Sequence, residues 1–223
     1  MRRNKYSYLL LLCLVFTVLT VNLSSCSYKH YKGFQLVSDA DVLLPAVFDS
    51  SFNKATYLTN LKVFNRELSG ITIIKKVKKT NTFHVVFMSQ IGLKYFDLVV
   101  RMGKPADWFE INYIMESLNK EFIVKALQTD FQLLFAKYPK TIELQLYQHP
   151  ENGSKEIIVV NNKKVSSYLT DPETQKISLI ELKKGSSTQV TISLEPYSSN
   201  HPHEFDINNK KAKIQLVFKE IKI

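Results

Sequence analysis

The stretch that decides the fold is LSGITIIKKVKKTNTFHVVFMSQIGLKYFDLVV, residues 68–100. Apolar and polar residues alternate in three segments of this stretch, which are Leu68–Val77, Phe83–Ser89 and Leu93–Val100. A period of two is typical of strands that bury one face. The first connection contains two lysines and Asn81, and the second contains Gly92, which favours a turn. The stretch therefore predicts a three-stranded meander.

Outward from this meander, Trp108–Tyr113 predicts a fourth strand, and then the period changes. Between Ile114 and Phe135 the apolar residues recur at a helical spacing, and no Gly or Pro interrupts them. This pattern predicts one long amphipathic helix of about six turns. After Pro139 the alternation returns in seven short segments, at 142–146, 157–160, 165–169, 177–182, 190–194, 205–207 and 214–218.

These segments predict a mainly β fold with some α structure. About ten to eleven strands with polar turns favour an incomplete antiparallel β-barrel. The apolar stripe of the helix has to be buried, so we expect the sheet to wrap around a long helix or helical lid. The chain contains no linker that separates two domains, and we expect a single domain at 50–223 preceded by a tether at 26–49.

The first residues are typical of a lipoprotein signal peptide, which we place at 1–25. A basic start precedes the thirteen-residue run Leu9–Val21, which is too short for an ordinary membrane span of about 20 residues. Leu23-Ser24-Ser25-Cys26 is similar to a bacterial lipobox. We expect lipidation of Cys26 by a diacylglyceryl group and an acyl chain such as palmitate, which would anchor the chain to membrane lipid. An uncleaved anchor is the alternative.

The charge balance is basic, with a formal net charge of +10 from 223 residues. An exported lipoprotein does not meet nucleic acid, so nucleic acid is not an expected partner. The cluster Lys75–Lys79 fits a solvated strand end, or attraction to anionic lipid headgroups. No acidic residue follows Cys26 in the six residues Ser27–Lys32. By the sorting patterns of bacterial lipoproteins, this predicts the periplasmic face of the outer membrane.

The sequence offers little catalytic chemistry. Its 6 glycines are too dispersed for a phosphate-binding loop, and its 2 cysteines cannot form a zinc site of their own. No serine lies in a G-x-S-x-G elbow. His201-Pro202-His203, with Glu204, has a spacing compatible with a metal, but a polar loop is the expected structure. We predict no catalytic residue, metal or cofactor, and therefore no enzyme.

Large apolar side chains are abundant, with 14 Phe and 11 Tyr. They fit either an ordinary core or a cavity for acyl chains between sheet and helix. The candidates for such a cavity lie on the predicted helix and on inward strand positions: Phe87, Phe96, Ile114, Leu118, Phe122, Leu127, Phe131, Leu216 and Phe218.

The segments Leu68–Lys75, Phe83–Phe87 and Ile91–Leu98 resemble the LolB-type outer-membrane lipoproteins, and the end of the chain at 202–218 resembles the closing hairpin of that fold. The resemblance implies an incomplete barrel with an apolar lipid cavity. It also implies receipt of lipoproteins from a periplasmic carrier and their insertion into the outer membrane. Members of the family expose an apolar loop residue, for which Ile91 and Leu93 are the candidates here.

We therefore expect a lipid-anchored protein that binds acyl chains and assists lipoprotein or lipid localisation to the outer membrane. Transfer would follow an affinity gradient between apolar cavities. The alternative is a non-enzymatic β-rich scaffold in an outer-membrane protein complex. An empty apolar pocket above about 300 Å³ favours the carrier, and its absence favours the scaffold.

Overall fold

The computed structural model describes residues 32–38, 44–102, 107–136, 138, 142, 144–161, 164–195 and 200–221. The expected signal peptide and Cys26 lie outside these residues, as does much of the expected tether. Tyr31–Ile223 forms one compact unit, and the apolar core and the paired strands of the described residues belong to it. Binding and stability experiments can therefore use this unit without the first thirty residues.

Thirteen strands lie in the described part of the chain. Their bounds are β1 Gln35–Ser38, β2 Lys54–Val63, β3 Arg66–Val77, β4 Thr82–Met88, β5 Lys94–Arg101, β6 Phe109–Ile114, β7 Leu144–Gln148, β8 Lys155–Asn161, β9 Lys164–Thr170, β10 Ile177–Lys184, β11 Ser187–Leu194, β12 Glu204–Asn209 and β13 Ile214–Glu220. One α-helix, α1, is described at Glu121–Leu134, and a short 3₁₀ turn at Lys78–Thr80 connects β3 to β4.

All thirteen strands belong to one antiparallel sheet, in the order β1-β7-β8-β9-β10-β11-β12-β13-β2-β3-β4-β5-β6. β2 lies in the interior of this order and pairs with β13, with Ile214 opposite Val63. Within the described residues β1 and β6 are the two edges, and the sheet is not closed into a barrel. The mainly β, antiparallel part of the prediction is confirmed.

The sheet curves strongly around α1. Phe131 of the helix lies against Phe96 of β5, with ring centroids 6.4 Å apart, while the carbonyl of Leu133 accepts a hydrogen bond from Tyr168 of β9. In the sheet order β5 and β9 are eight strands apart, which would be about 38 Å in a flat sheet, whereas a helix is only about 10 Å wide. One helix can contact both strands only because the sheet bends round it.

Gly70 allows two neighbouring strands to approach closely where β4 ends. A Cβ atom on Gly70 would lie 2.0 Å from the carbonyl oxygen of Met88. No side chain fits at that distance, so the β3–β4 pairing requires glycine at this position. The requirement explains the glycine inside this strand.

The strand count differs from the expected ten to eleven because the sequence pattern does not predict β1 and β2. In β2, every second residue from Ala55 to Val63 is buried, so the strand has the usual alternation. Its buried positions include Ala55 and Thr59, which weaken the apolar signal. β1 lies inside the expected tether and joins the sheet by pairing with β7. The buried residues Val47 and Phe48 also place part of the core before residue 50.

The helix is shorter than the expected 114–135. Ile114 ends β6 opposite Phe96, and the backbone N–H of Met115 donates to the carbonyl of Tyr95. The chain then turns, and Lys120 is still extended, with φ −111° and ψ 136°. Ile114, the first apolar residue of the predicted stripe, therefore belongs to the sheet, and the helix begins only at Glu121.

Candidate functional site

A pocket of about 710 Å³ lies between α1 and several strands and turns of the sheet. It is lined by apolar, amide, hydroxyl and cationic side chains: Phe64, Trp108, Phe122, Lys125, Ala126, Gln128, Thr129, Gln132, Lys164, Leu182, Gln189, Val190, Asn209, Lys211, Ala212 and Lys213. This volume falls within the range of small-molecule sites, about 300–1,000 Å³.

Two exposed aromatic rings face each other in the pocket wall. Phe64 is 53% exposed and Phe122 is 44% exposed, and their ring centroids lie 5.5 Å apart in an edge-to-face arrangement. Phe64 has a φ of 51°, a left-handed conformation that is unusual for a bulky residue. The β2–β3 connection is a two-residue hairpin turn, with Val63 opposite Arg66, and such turns favour a positive φ at their first central residue, so the turn itself presents this ring to the pocket.

A chain of hydrogen bonds fixes the β12–β13 turn to the helix. Asn209 donates from Nδ2 to Oδ1 of Asp130 at 2.8 Å, and it accepts from the backbone N–H of Ala212 at 3.0 Å. The backbone N–H of Phe64 donates to the carbonyl of Lys213 at 3.3 Å, which adds the β2–β3 turn. Helix and turns are thereby held as one pocket wall.

Asp130 is fully buried behind this wall. Burial raises the pKa of the carboxyl to about 7, although the hydrogen bond from Asn209 opposes the rise. Its Oδ2 atom has no hydrogen-bond partner among the described residues. A buried carboxyl of this kind favours the protonated form, because an ionised group in an apolar environment loses its hydration.

Among the described residues, four lysines line the pocket and no aspartate or glutamate does. They come from separate parts of the chain: Lys125 from α1, Lys164 from the start of β9, and Lys211 and Lys213 from the β12–β13 turn. All four are exposed. Lys125 forms an ion pair with Glu121 on the helix surface, where both side chains are largely exposed. The pocket therefore combines aromatic surface with a positive rim.

Most of the predicted cavity residues lie in a filled core instead. Five of them have no accessible surface, which leaves no water-sized space beside their side chains: Phe87, Phe96, Phe131, Leu216 and Phe218. Leu127 and Leu118 are buried at 1% and 4%, and Ile114 packs partly buried against the core. Of the nine candidates, only Phe122 lines the pocket. The interior is thus packed, and the open space lies beside the polar face of the helix.

The two loop candidates are exposed at a hairpin tip. Ile91 is 92% exposed and Leu93 is 54% exposed. The turn is held by Ser89, whose hydroxyl accepts from the backbone N–H of Leu93 at 2.9 Å. Successive antiparallel strands reverse direction, so the β4–β5 turn lies at the same end of the sheet as the β2–β3 and β12–β13 turns of the pocket. The exposed apolar tip and the two pocket turns therefore lie at the same end of the sheet.

The two histidines of the His201-Pro202-His203 segment meet Glu220, and not Glu204. His201 Nε2 lies 2.7 Å from Glu220 Oε1, His203 contacts the other oxygen, and Glu204 instead pairs with Lys219 at 2.8 Å. Burial opposes ionisation, but the hydrogen bonds from both histidines outweigh it and lower the pKa of Glu220. The three ligand atoms lie within 4.8 Å of one another, a spacing that could hold a metal. In the structure these contacts connect the His201-Pro202-His203 segment to the end of β13.

Among the described residues, no helix has both the length and the apolar character that crossing a membrane requires.

No protein-family model matches the chain, and no curated protein matches it at a significant level. Solved structures that match the chain include the following two. A DUF1329 family protein from Desulfovibrio piger is 9% identical, with 76% of this chain and 83% of that chain covered and a TM-score of 0.45. A domain named for outer membrane lipoprotein sorting, from Vibrio parahaemolyticus, is 9% identical, with 78% and 86% covered and a TM-score of 0.41.

Proposed function

We propose that this protein is a lipid-anchored carrier that binds acyl chains in the pocket and assists the localisation of lipids or lipoproteins to the outer membrane. The observation that carries the proposal is the pocket of about 710 Å³ with Phe64 and Phe122 exposed in its wall. Exposed aromatic surface beside an open pocket gains free energy when an apolar ligand covers it. The chemistry is binding and release, and no bond is made or broken.

The resemblance of residues 68–98 to LolB-type lipoproteins and the lipobox at Cys26 support the same function. The lipidated N-terminus would keep the domain at a membrane, and the Ile91 tip would enter that membrane when cargo is released. An isoleucine that is 92% exposed contributes little to the fold, whereas its burial in lipid gains about 1.5–3 kcal/mol.

Native mass spectrometry with lipid extraction on Tyr31–Ile223 tests the pocket. We expect co-purified or added acyl lipid on the protein, and its loss in Thr129→Trp, which fills the pocket from the outer face of the helix. Ser117→Trp is the matched control, because Ser117 is exposed just before the helix and does not line the pocket. A folded protein that binds no acyl lipid would contradict the carrier and favour the scaffold.

Vesicle flotation tests the tip. Leu93→Ser should weaken association with vesicles several-fold, and Ile91→Ser should weaken it more, because Ile91 is the more exposed. Leu58→Ser is the matched control, since Leu58 is 45% exposed in the middle of β2 and away from the tip. Equal association of all three variants and the unchanged protein would exclude insertion of this hairpin.

A further inference from the structure

We propose that the ligand of this pocket is an anionic phospholipid, whose phosphate headgroup binds the lysine rim while its acyl chains cover the aromatic wall. The inference rests on the proposed function and adds the chemical class of the ligand. It concerns the head of the lipid, whereas the proposed function concerns only its chains.

The first argument is the sign of the charge. The whole chain has 20 acidic residues for 30 basic ones, so a random surface of this protein would mix both signs. The pocket instead collects Lys125, Lys164, Lys211 and Lys213 without a carboxylate among its lining residues. Lys164, Lys211 and Lys213 bring like charge to one pocket, which an anionic ligand would neutralise, and Lys125, which is paired with Glu121, adds to the rim.

The second argument is how the lysines are positioned. Lys211 and Lys213 flank Ala212, whose backbone N–H donates to Asn209, and Asn209 in turn donates to the buried Asp130. The turn that carries half of the rim charge is therefore fixed to the helix from inside the core. The bond that gives the buried Asp130 its partner thus also holds Lys211 and Lys213 at the pocket.

The third argument is the combination of polar and apolar surface. Phe64, Phe122 and Trp108 offer apolar area, and Gln128, Gln189 and Thr129 add amide and hydroxyl groups to the same lining. A phospholipid presents matching groups in its acyl chains, its esters and its phosphate. A free phosphate would use the lysines alone, and a neutral lipid would use the rings alone.

The fourth argument is the mobility of the lysine charges. Arginine binds phosphate through a rigid pair of donors, whereas lysine acts as a mobile point charge. The four lysines of the described lining suit a headgroup held by its charge and not by one fixed geometry. Lys125 is also able to exchange its exposed ion pair with Glu121 for a ligand phosphate, since such pairs are weak.

The test compares phosphatidylglycerol with phosphatidylcholine of the same acyl chains, bound to Tyr31–Ile223 at low salt and measured by displacement of a fluorescent fatty acid. We expect tighter binding of phosphatidylglycerol. The variant Lys211→Gln/Lys213→Gln should lose about 25-fold of that affinity, at about 5-fold for each lysine, and little affinity for phosphatidylcholine. The control Lys78→Gln/Lys79→Gln removes the same charge from the exposed β3–β4 turn, outside the pocket, and should change neither affinity.

The outcomes separate the two proposals. Equal binding of both lipids, or an equal loss in the two double variants, overturns the anionic headgroup but leaves an acyl-binding pocket. Binding of neither lipid overturns the proposed function itself. Displacement by inorganic phosphate alone, at the concentration that phosphatidylglycerol requires, overturns the phospholipid in favour of a phosphate site. Circular dichroism of each variant establishes that it is folded.

Discussion

Replacing Phe64 by asparagine tests whether its ring contributes to ligand binding or to the stability of the fold. Phe64 has a φ of 51°, and left-handed backbone costs a residue with a side chain about 1–2 kcal/mol. Asparagine tolerates this conformation, so Phe64→Asn relieves part of that strain. The lost edge-to-face contact with Phe122 is worth about 0.5–1.5 kcal/mol. The half of the ring that is already buried in the free protein loses about a further 1 kcal/mol. The losses exceed the relief of strain, and we expect the free energy of unfolding to fall by no more than about 2 kcal/mol.

The same substitution should weaken ligand binding. Complete burial of a phenylalanine gains about 1.5–3 kcal/mol. Because Phe64 is already about half-buried in the free protein, with 53% exposed, a covering ligand gains about half of this. The expected loss is therefore about 0.8–1.6 kcal/mol, or about 4- to 15-fold in the dissociation constant.

Urea unfolding and displacement of a fluorescent fatty acid measure the two quantities on the same preparation. Tyr113→Asn is the matched control, because Tyr113 is 43% exposed on the edge strand β6 and does not line the pocket. It should leave the affinity unchanged. A Phe64→Asn protein that is destabilised by about 3 kcal/mol or more and binds normally would refute the reasoning, since losses of that size are typical of core rings.

Three further predictions concern stability. Gly70→Ala should lower the melting temperature strongly, because the new Cβ would lie 2.0 Å from the backbone oxygen of Met88; an unchanged melting curve would contradict the close approach of β3 and β4. Burial raises the pKa of Asp130 to about 7, so the native state holds a proton that the unfolded chain releases, and the free energy of unfolding should fall as pH rises from about 4 to 7. Asp130→Asn should lack this fall in urea titrations at pH 5 and pH 8. The pKa of Glu220 lies below its ordinary value of 4.5, so the ionised carboxylate stabilises the fold above pH 4.5, and this stabilisation is lost as pH falls through the lowered pKa. Glu220→Gln should therefore have a lower free energy of unfolding at neutral pH, and that free energy should fall less in acid than it does in the unchanged protein.

The strands with strong β-branched patterns can be predicted from the sequence, because each strand buries one face and the period of two survives in the residues. β2 has the same period, but Ala55 and Thr59 at buried positions hide it from an interpretation based on large apolar residues. The predicted start of the helix is wrong for a different reason. Ile114 fits the helical spacing in the sequence, and only its pairing with Phe96 shows that it belongs to the sheet.

The pocket is harder to predict than the fold. Phe122 belongs to the apolar stripe of the helix and lines the pocket, whereas other apolar residues of the stripe, such as Leu127 and Phe131, are buried in the filled core. The lysine rim and the bond between Asp130 and Asn209 join residues far apart in the chain, 79 positions in the latter case, and no local pattern marks them. Phe64 has a local signal, an aromatic residue followed by Asn65 at a hairpin turn, but this signal alone does not indicate a pocket.

The most direct test of the carrier is photo-crosslinking with a phospholipid that has a diazirine in its acyl chain, followed by peptide mapping of Tyr31–Ile223. We expect labelled peptides that contain Phe64, Trp108 and Phe122, and loss of the label in Thr129→Trp. Labelling confined to the Ile91 hairpin, or spread evenly over the surface, would contradict a pocket that holds acyl chains.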